Sequence, residues 1–352
     1  MAFLTIKNVA IRGIAACVPE HVEENLNLSV FKEGEAERVI AQTGIERKHT
    51  IGEQNITTAD LCEKACIELL DKLGWDRGSI DALMYVASEG DYIMPPTSCV
   101  LQHKLGFSEE CLTIDERQGC PGWIIGLSSL SSLVSHGSIK RAILLNGDIC
   151  TVLNSRKDKE TAPLFGDAGV ATALEFDETS TPLYFYHGTR GKDFKAIFIP
   201  DGGHRSPATV ESLQYKEYGV NQCRTRLQCE MDGMGVFSFG MTMGTKSVNS
   251  LCEHFNIAKE SIDYFVFHQA NRYMNDKIRK KLKLDPEKVP FSMKDFGNTS
   301  NASIPLTIVT QCNEAYNTMK LKNIGCAFGV GLAWASVYFE TNKIVCPSLV
   351  LY

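Results

Sequence analysis

The sequence predicts an α/β protein made of two similar halves, on two observations. Strand-like apolar runs alternate with helix-like runs along most of the chain, and stretches of the first half return in the same order in the second. "KLGWDRGSIDALMYVAS" at 72–88 is matched by "HFNIAKESIDYFVFHQA" at 254–270, each entering a strand through Ser-Ile-Asp. "KRAILLNGDI" at 140–149 parallels "KNIGCAFGVG" at 322–331, and "QGCPGW" parallels "FGNTSN" at nearly the same offset. We place the halves at 1–177 and 178–352. Such alternation gives mixed or parallel sheets covered by helices, with sites at the C-terminal ends of strands.

The elements follow from the pattern. The N-terminus, "MAFLTIKNVAIRGIAACVPE", has the period-two spacing of a strand, and Lys7 and Arg12 interrupt any signal-peptide core. Ala59–Leu73 repeats its apolar residues at three and four and reads as a helix; Leu83–Ala87 reads as a strand, Thr97–Leu105 as a helix. The short strand 111–115 leads into a helical run at 121–137 closed by Gly137, and Arg141–Asn146 is a further strand. The polar stretch 189–231 reads as a long loop with local structure, placed to cover a site.

Composition sets the class. With 352 residues, 44% hydrophobic and 22% charged, the chain buries a real core. A net charge of -6 argues against nucleic acid or an anionic membrane as partner, and no run is long enough to span a bilayer. Thirteen cysteines, an odd number scattered through strands and helices, point to reduced thiols in a cytoplasmic protein. Cys62 and Cys66 lie one helical turn apart with no further ligand nearby, so they are expected in the core, and no metal is expected.

One cysteine stands apart. Cys120 lies at a corner, "DERQGCPGWIIG", between a strand and a helix. Pro121 suits the first helical position, which makes Cys120 the N-cap, where the helix field favours a thiolate. His268 follows the apolar strand "YFVF" and, with a polar turn after it, is expected to be exposed. Asn298 lies in a Gly-Asn-Thr-Ser turn before another helix, opposite Cys120 in the repeat. A turn of this composition is ordinarily only a turn former; its place in the repeat argues for a role.

These blocks resemble a known family. "HQAN" at 268–271, "GNTSNAS" at 297–303 and "FGVGLAW" at 328–334, with "QTGIERK" at 42–48, "FGDAGVATAL" at 165–174 and "MDGMGVFSF" at 231–239, are similar to the signature blocks of beta-ketoacyl-acyl-carrier-protein synthase III. The resemblance runs from the first strand to the last. It implies the thiolase fold, two similar halves forming five αβαβα layers, and a triad carried onto Cys120, His268 and Asn298. It further implies an oxyanion hole from the N–H groups of Cys120 and Val330 and a decarboxylative condensation of a Cys120-bound acyl group with a malonyl thioester. No cofactor is implied beyond acyl-CoA or acyl-carrier-protein thioesters. The implied partner is acyl carrier protein, docking on Gln269, Arg272, Lys277, Arg279 and Lys280. A homodimer is implied too, in which the 90–98 loop reaches the partner's acyl pocket with Met94 as gate.

The chain also departs from the pattern. Arg38 and Gln42 stand where the family carries a tryptophan and an arginine that hold coenzyme A, Gln118, Pro121 and Trp123 surround the nucleophile in place of small residues, and Ala333 replaces a threonine. These changes suggest a specialised paralogue. Two rival readings remain: an acyltransferase of the same fold that passes its acyl group to a hydroxyl or amine, and a non-catalytic partner subunit.

Overall fold

The computed structural model describes residues 2–352. Two mixed sheets carry the fold. The first has the strand order Val350–Leu351, Val9–Val18, Asp167–Phe176, Arg141–Ile149, Ala82–Ala87, Leu112–Arg117; the second runs Ala2–Ile6, Leu183–Thr189, Ala333–Asn342, Lys320–Gly329, Tyr264–Phe267. The segments repeated in the sequence occupy matching places. Strand 82–87 lies parallel to 141–149, and 264–267 lies parallel to 320–329. Each central strand then pairs antiparallel with its other neighbour.

Three apolar clusters separate the layers. One joins both sheets through the helices Gly122–Val134 and Ser303–Gln311. A second packs Thr58–Leu73 and Thr97–Leu105 on the outer face of the first sheet, with Cys62 and Cys66 buried in it. The third packs Gly233–Phe255 and Arg272–Leu282 on the outer face of the second. The result is five layers, helix-sheet-helix-sheet-helix. Strands covered on both faces are largely apolar, and every residue of 82–87 is buried.

Local chemistry sets the helix ends. Thr57 and Asp60 form a reciprocal capping box at helix 58–73, which Gly74 closes in the left-handed conformation. The Asp115 carboxylate accepts the N–H groups of Thr97 and Ser98 at 2.7 and 2.8 Å, so the edge strand 112–117 caps its neighbouring helix. The termini cross over: strand 2–6 pairs with 183–189, whereas strand 350–351 pairs with 9–18. Among the described residues, no helix is long and apolar enough to cross a membrane.

The stretch 189–231 holds short helices and strands rather than one loop. Ile197–Phe198 pairs with Glu230–Met231 at its base, and Arg226 clasps Asp201 through two bonds of 2.8 and 2.9 Å farther out. Trp123 is core: it is 1% exposed and its indole N–H donates to Thr172 Oγ1 at 3.1 Å.

Candidate active site

Cys120 follows strand 112–117 in a tight turn closed by the Gly122 N–H on Gly119 O at 2.7 Å. The helix begins at Gly122, with Pro121 as its cap residue, one position later than the sequence suggested. Cys120 therefore sits in the turn rather than at the cap. The expectation of a thiolate also needs correction. Burial pushes the thiol pKa up and the nearby Asp148 carboxylate adds to the rise, while the Val330 N–H, the Ser300 hydroxyl and the residue's own N–H pull it down. Desolvation wins because the sulfur is sealed from bulk water. Gly329 makes room for it: a Cβ there would stand 2.4 Å from Sγ, on a backbone with φ +157°.

His268 was expected to be exposed and is not. It is 2% exposed, beneath the Phe328 ring, with its N–H held by Cys326 O at 2.8 Å. Its Nδ1 lies 2.8 Å from Ser303 Oγ. Burial lowers its pKa to about 4, against a weaker opposing pull from the Ser300 carbonyl, so the ring is neutral at physiological pH.

Asn298 is anchored by its backbone, its N–H to Leu164 O at 2.8 Å and its carbonyl accepting from Gly166 at 3.2 Å. Gly297 before it has φ +64°, which admits the turn. Its Oδ1 accepts the Ser300 N–H at 2.9 Å, leaving the amide N–H groups for a ligand.

Cys120, His268, Asn298 and Val330 line one cavity of about 360 Å³. Leu153, Phe165, Ile197, Phe198, Ile199 and Met231 give it an apolar wall. A mostly apolar cavity with a few convergent polar groups is the usual form of a small-molecule site. The stretch 189–231 thus contributes wall as well as cover. Sequence reasoning missed Asp148 and Ser300, which line the cavity with the nucleophile, and Asn301, whose amide donates to Asp148 at 3.0 Å. Asn146 and Asp148 in the otherwise apolar run "RAILLNGDI" were the available signal.

Chains with this arrangement are known. The pattern of 3-oxoacyl-[acyl-carrier-protein] synthase III matches residues 114–191, and that of its C-terminal part matches 252–341. A beta-ketoacyl-[acyl-carrier-protein] synthase III of Streptococcus agalactiae is 30% identical, over 93% of this chain and 97% of the relative. This chain belongs to the 3-oxoacyl-[acyl-carrier-protein] synthase III family. A synthase III from Rhodopirellula baltica is 29% identical, over 95% of this chain and 99% of the relative. The solved 3-oxoacyl-(acyl-carrier protein) synthase of Burkholderia xenovorans superposes with a TM-score of 0.93 at 32% identity, over 100% of this chain and 99% of that one.

The residues expected to dock a carrier, hold coenzyme A or gate the pocket differ in exposure. Gln269 is fully buried: its Nε2 donates to Phe267 O at 2.7 Å and its Oε1 accepts the Ser292 N–H at 3.1 Å. It cannot meet a docking partner, because it braces the turn after His268. Arg279 is only 14% exposed, bonded to Asp276 and Leu284 O. Arg272 is half exposed and lies over the Phe291 ring. Lys277 and Lys280 are exposed. Arg38 and Gln42 share an exposed face of helix Glu35–Thr43. Met94 is 80% exposed and lies outside the cavity of its own chain.

Proposed function

We propose that this chain is a condensing enzyme. Cys120 accepts an acyl group from a thioester, and the acyl-enzyme condenses with a malonyl thioester as carbon dioxide leaves, giving a 3-ketoacyl product. The observation that carries this reading is the meeting of Cys120, His268 and Asn298 in one cavity under the Val330 N–H. A thiol attacking a thioester develops charge on the carbonyl oxygen, and the Cys120 and Val330 N–H groups are the donors for it. A neutral imidazole and the Asn298 amide then donate to the thioester carbonyl of the malonyl unit and stabilise its enolate. When the Ser303 hydroxyl donates to Nδ1, which it meets at 2.8 Å, Nε2 carries the proton for the enolate.

Acyl carrier protein is the proposed malonyl carrier, docking on the exposed Lys277 and Lys280 beside Arg272. Arg38 and Gln42 offer no aromatic surface for an adenine, which favours a carrier protein as first donor over coenzyme A. We place the division of the chain at 1–177 and 178–352 and its setting in the cytoplasm, without a cofactor. We also assign a homodimer, supported by the free edge of strand 112–117 and by the bare Ile93 and Met94, 96% and 80% exposed. Met94 is the side chain that would gate the partner's acyl pocket.

The test is a product mass. Purified protein is mixed with malonyl-acyl-carrier protein and a panel of acyl donors, beside a Cys120→Ala control. A carrier-bound 3-ketoacyl chain that the control lacks is the expected result. Acyl-enzyme with the malonyl carrier untouched would replace condensation by simple acyl transfer.

A further inference from the structure

Lys48 is fully buried although its side chain ends in a cation. Its Nζ donates to Glu23 Oε2 at 2.7 Å and to Asn25 Oδ1 at 3.1 Å. Glu23 and Lys48 face each other across the paired strands Val22–Glu24 and Arg47–His49, and Arg156 holds the other oxygen of Glu23 at 3.1 Å. A buried ion pair is weak evidence for stability, since well-packed apolar side chains of the same volume often serve as well. What the pair does supply is direction, because its bonds fix the groups they join.

The strand that carries Lys48 lies along the segment that ends at Asn298. The Glu46 N–H donates to Lys294 O at 2.9 Å, Arg47 Nη1 stands 3.5 Å from Asp295 Oδ1, and the His49 and Phe296 rings stack at 5.2 Å. Lys48 meets the next residue along: a Cβ added at Gly297 would stand 3.5 Å from Lys48 Cβ, and one at Gly166 would stand 3.3 Å from it. The stem of the lysine therefore packs beside both glycines.

A second route to Asn298 runs through Asn25, which is fully buried. Its Nδ2 donates to Ile45 O and to Pro163 O, both at 2.9 Å. Pro163 leads into the segment from which Asn298 hangs. Leu164 O accepts the Asn298 N–H at 2.8 Å, and Asn298 O accepts the Gly166 N–H at 3.2 Å. One ammonium thus reaches Asn298 from two sides, through Gly297 and through residues 163–166.

We propose that Lys48 is a positioning residue for Asn298: its ammonium locks strand 47–49 and Asn25 in one arrangement, which sets the Asn298 amide against the thioester carbonyl of the malonyl unit. The inference rests on the condensing reading above. Lys48 lies outside the cavity lining and acts only through Asn298. Cys120 and His268 follow other strands, 112–117 and 264–267. Loss of Lys48 therefore falls on the second step and spares acylation.

The test is Lys48→Met, which keeps the stem and removes the donors. Condensation with a malonyl-carrier thioester should fall about tenfold or more, the usual result of displacing a group that must meet the reacting atoms. Acylation of Cys120, read by intact mass, should be unchanged. In an Asn298→Ala background the same substitution should cost nothing further, because residues that act as one unit are not additive. Equal loss of both steps, or the full loss repeated in that background, would reduce Lys48 to general stability.

A second measurement needs no substrate. In Lys48→Met, amide hydrogen exchange followed by peptide mass should quicken about tenfold or more at Gly166 and Asn298 and stay unchanged in strand 333–342. Unchanged exchange at Asn298, or faster exchange throughout the chain, overturns the proposal. Asn25→Ala, which leaves the ion pair but cuts the link to Pro163, should reproduce both results, and it decides the matter if Lys48→Met does not fold. A wild type that makes no 3-ketoacyl product would sink the proposed function, while exchange would still read whether Lys48 holds Asn298.

Discussion

The Ser300 N–H donates to Asn298 Oδ1 at 2.9 Å, and this bond decides which end of the amide is left for a ligand. The oxygen is held by this bond, and the amide N–H groups are left to donate. Asn298→Asp would place a carboxylate where an enolate must form. We expect condensation to drop about a hundredfold or more, with acylation of Cys120 intact. Equal loss of both steps would remove Asn298 from the second step.

Gly329 tests the space around the sulfur. In Gly329→Ala the new Cβ would meet Cys120 Sγ at 2.4 Å and Cβ at 2.7 Å, on a backbone that side chains rarely adopt. Acylation of Cys120 should become undetectable while the purified variant keeps its circular dichroism. Normal acylation would show that the turn can move aside.

His187 carries a pH dependence of stability. Among the described residues both ring nitrogens lack a partner, and burial lowers its pKa to about 4. The unfolded chain, with an ordinary histidine near pH 6.5, therefore binds the extra proton first. Stability from this group is complete above pH 6.5 and falls as pH drops toward 4, by up to about 3 kcal/mol. His187→Phe should raise stability at pH 7 by about 1 kcal/mol, since it removes an unpartnered polar ring. Urea titrations from pH 7 to 4 should show a shallower decline in the variant; parallel curves would discount the assignment.

Charge reversal separates docking from bracing on helix 272–282. Lys277→Glu with Lys280→Glu should raise KM for a malonyl-carrier substrate about tenfold, with strong salt dependence, and leave acylation by a small thioester unchanged. Arg279→Ala should lower the melting temperature instead, because its guanidinium holds Asp276 and Leu284 O. A Lys277/Lys280 variant with wild-type KM would move the docking surface elsewhere.

Much of the site could be read from the chain because its members lie at strand ends in recognisable turns. The repeat placed "SIDALMYVAS" and "SIDYFVFHQA" on matching strands, the alternation of elements gave sheets covered by helices, and the five layers came from the family resemblance. What escaped notice depended on distance in sequence. Asp148 and Ser300 lie far apart in the chain and meet only when strand 141–149 reaches the turn at 297–303. Burial was also invisible: His268 and Gln269 stand in a polar turn, yet Phe328, Ser292 and Ser303 close over them. The Cys120 thiolate failed as an expectation for the same reason, since a helix terminus can be read from Pro-Gly but the desolvation of the sulfur cannot.

The exchange of terminal strands has a practical consequence. Residues 2–6 complete the sheet of the later part of the chain, and residues 345–351 lean on strand 9–18, where the Ile14 N–H donates to Val345 O and the Val345 N–H to Arg12 O, both at 2.9 Å. Each sheet is thus laced shut by the far end of the polypeptide. A cut in the 177–182 link would not release two autonomous modules but two fragments that need each other, and co-expressed fragments should reassemble where either alone precipitates.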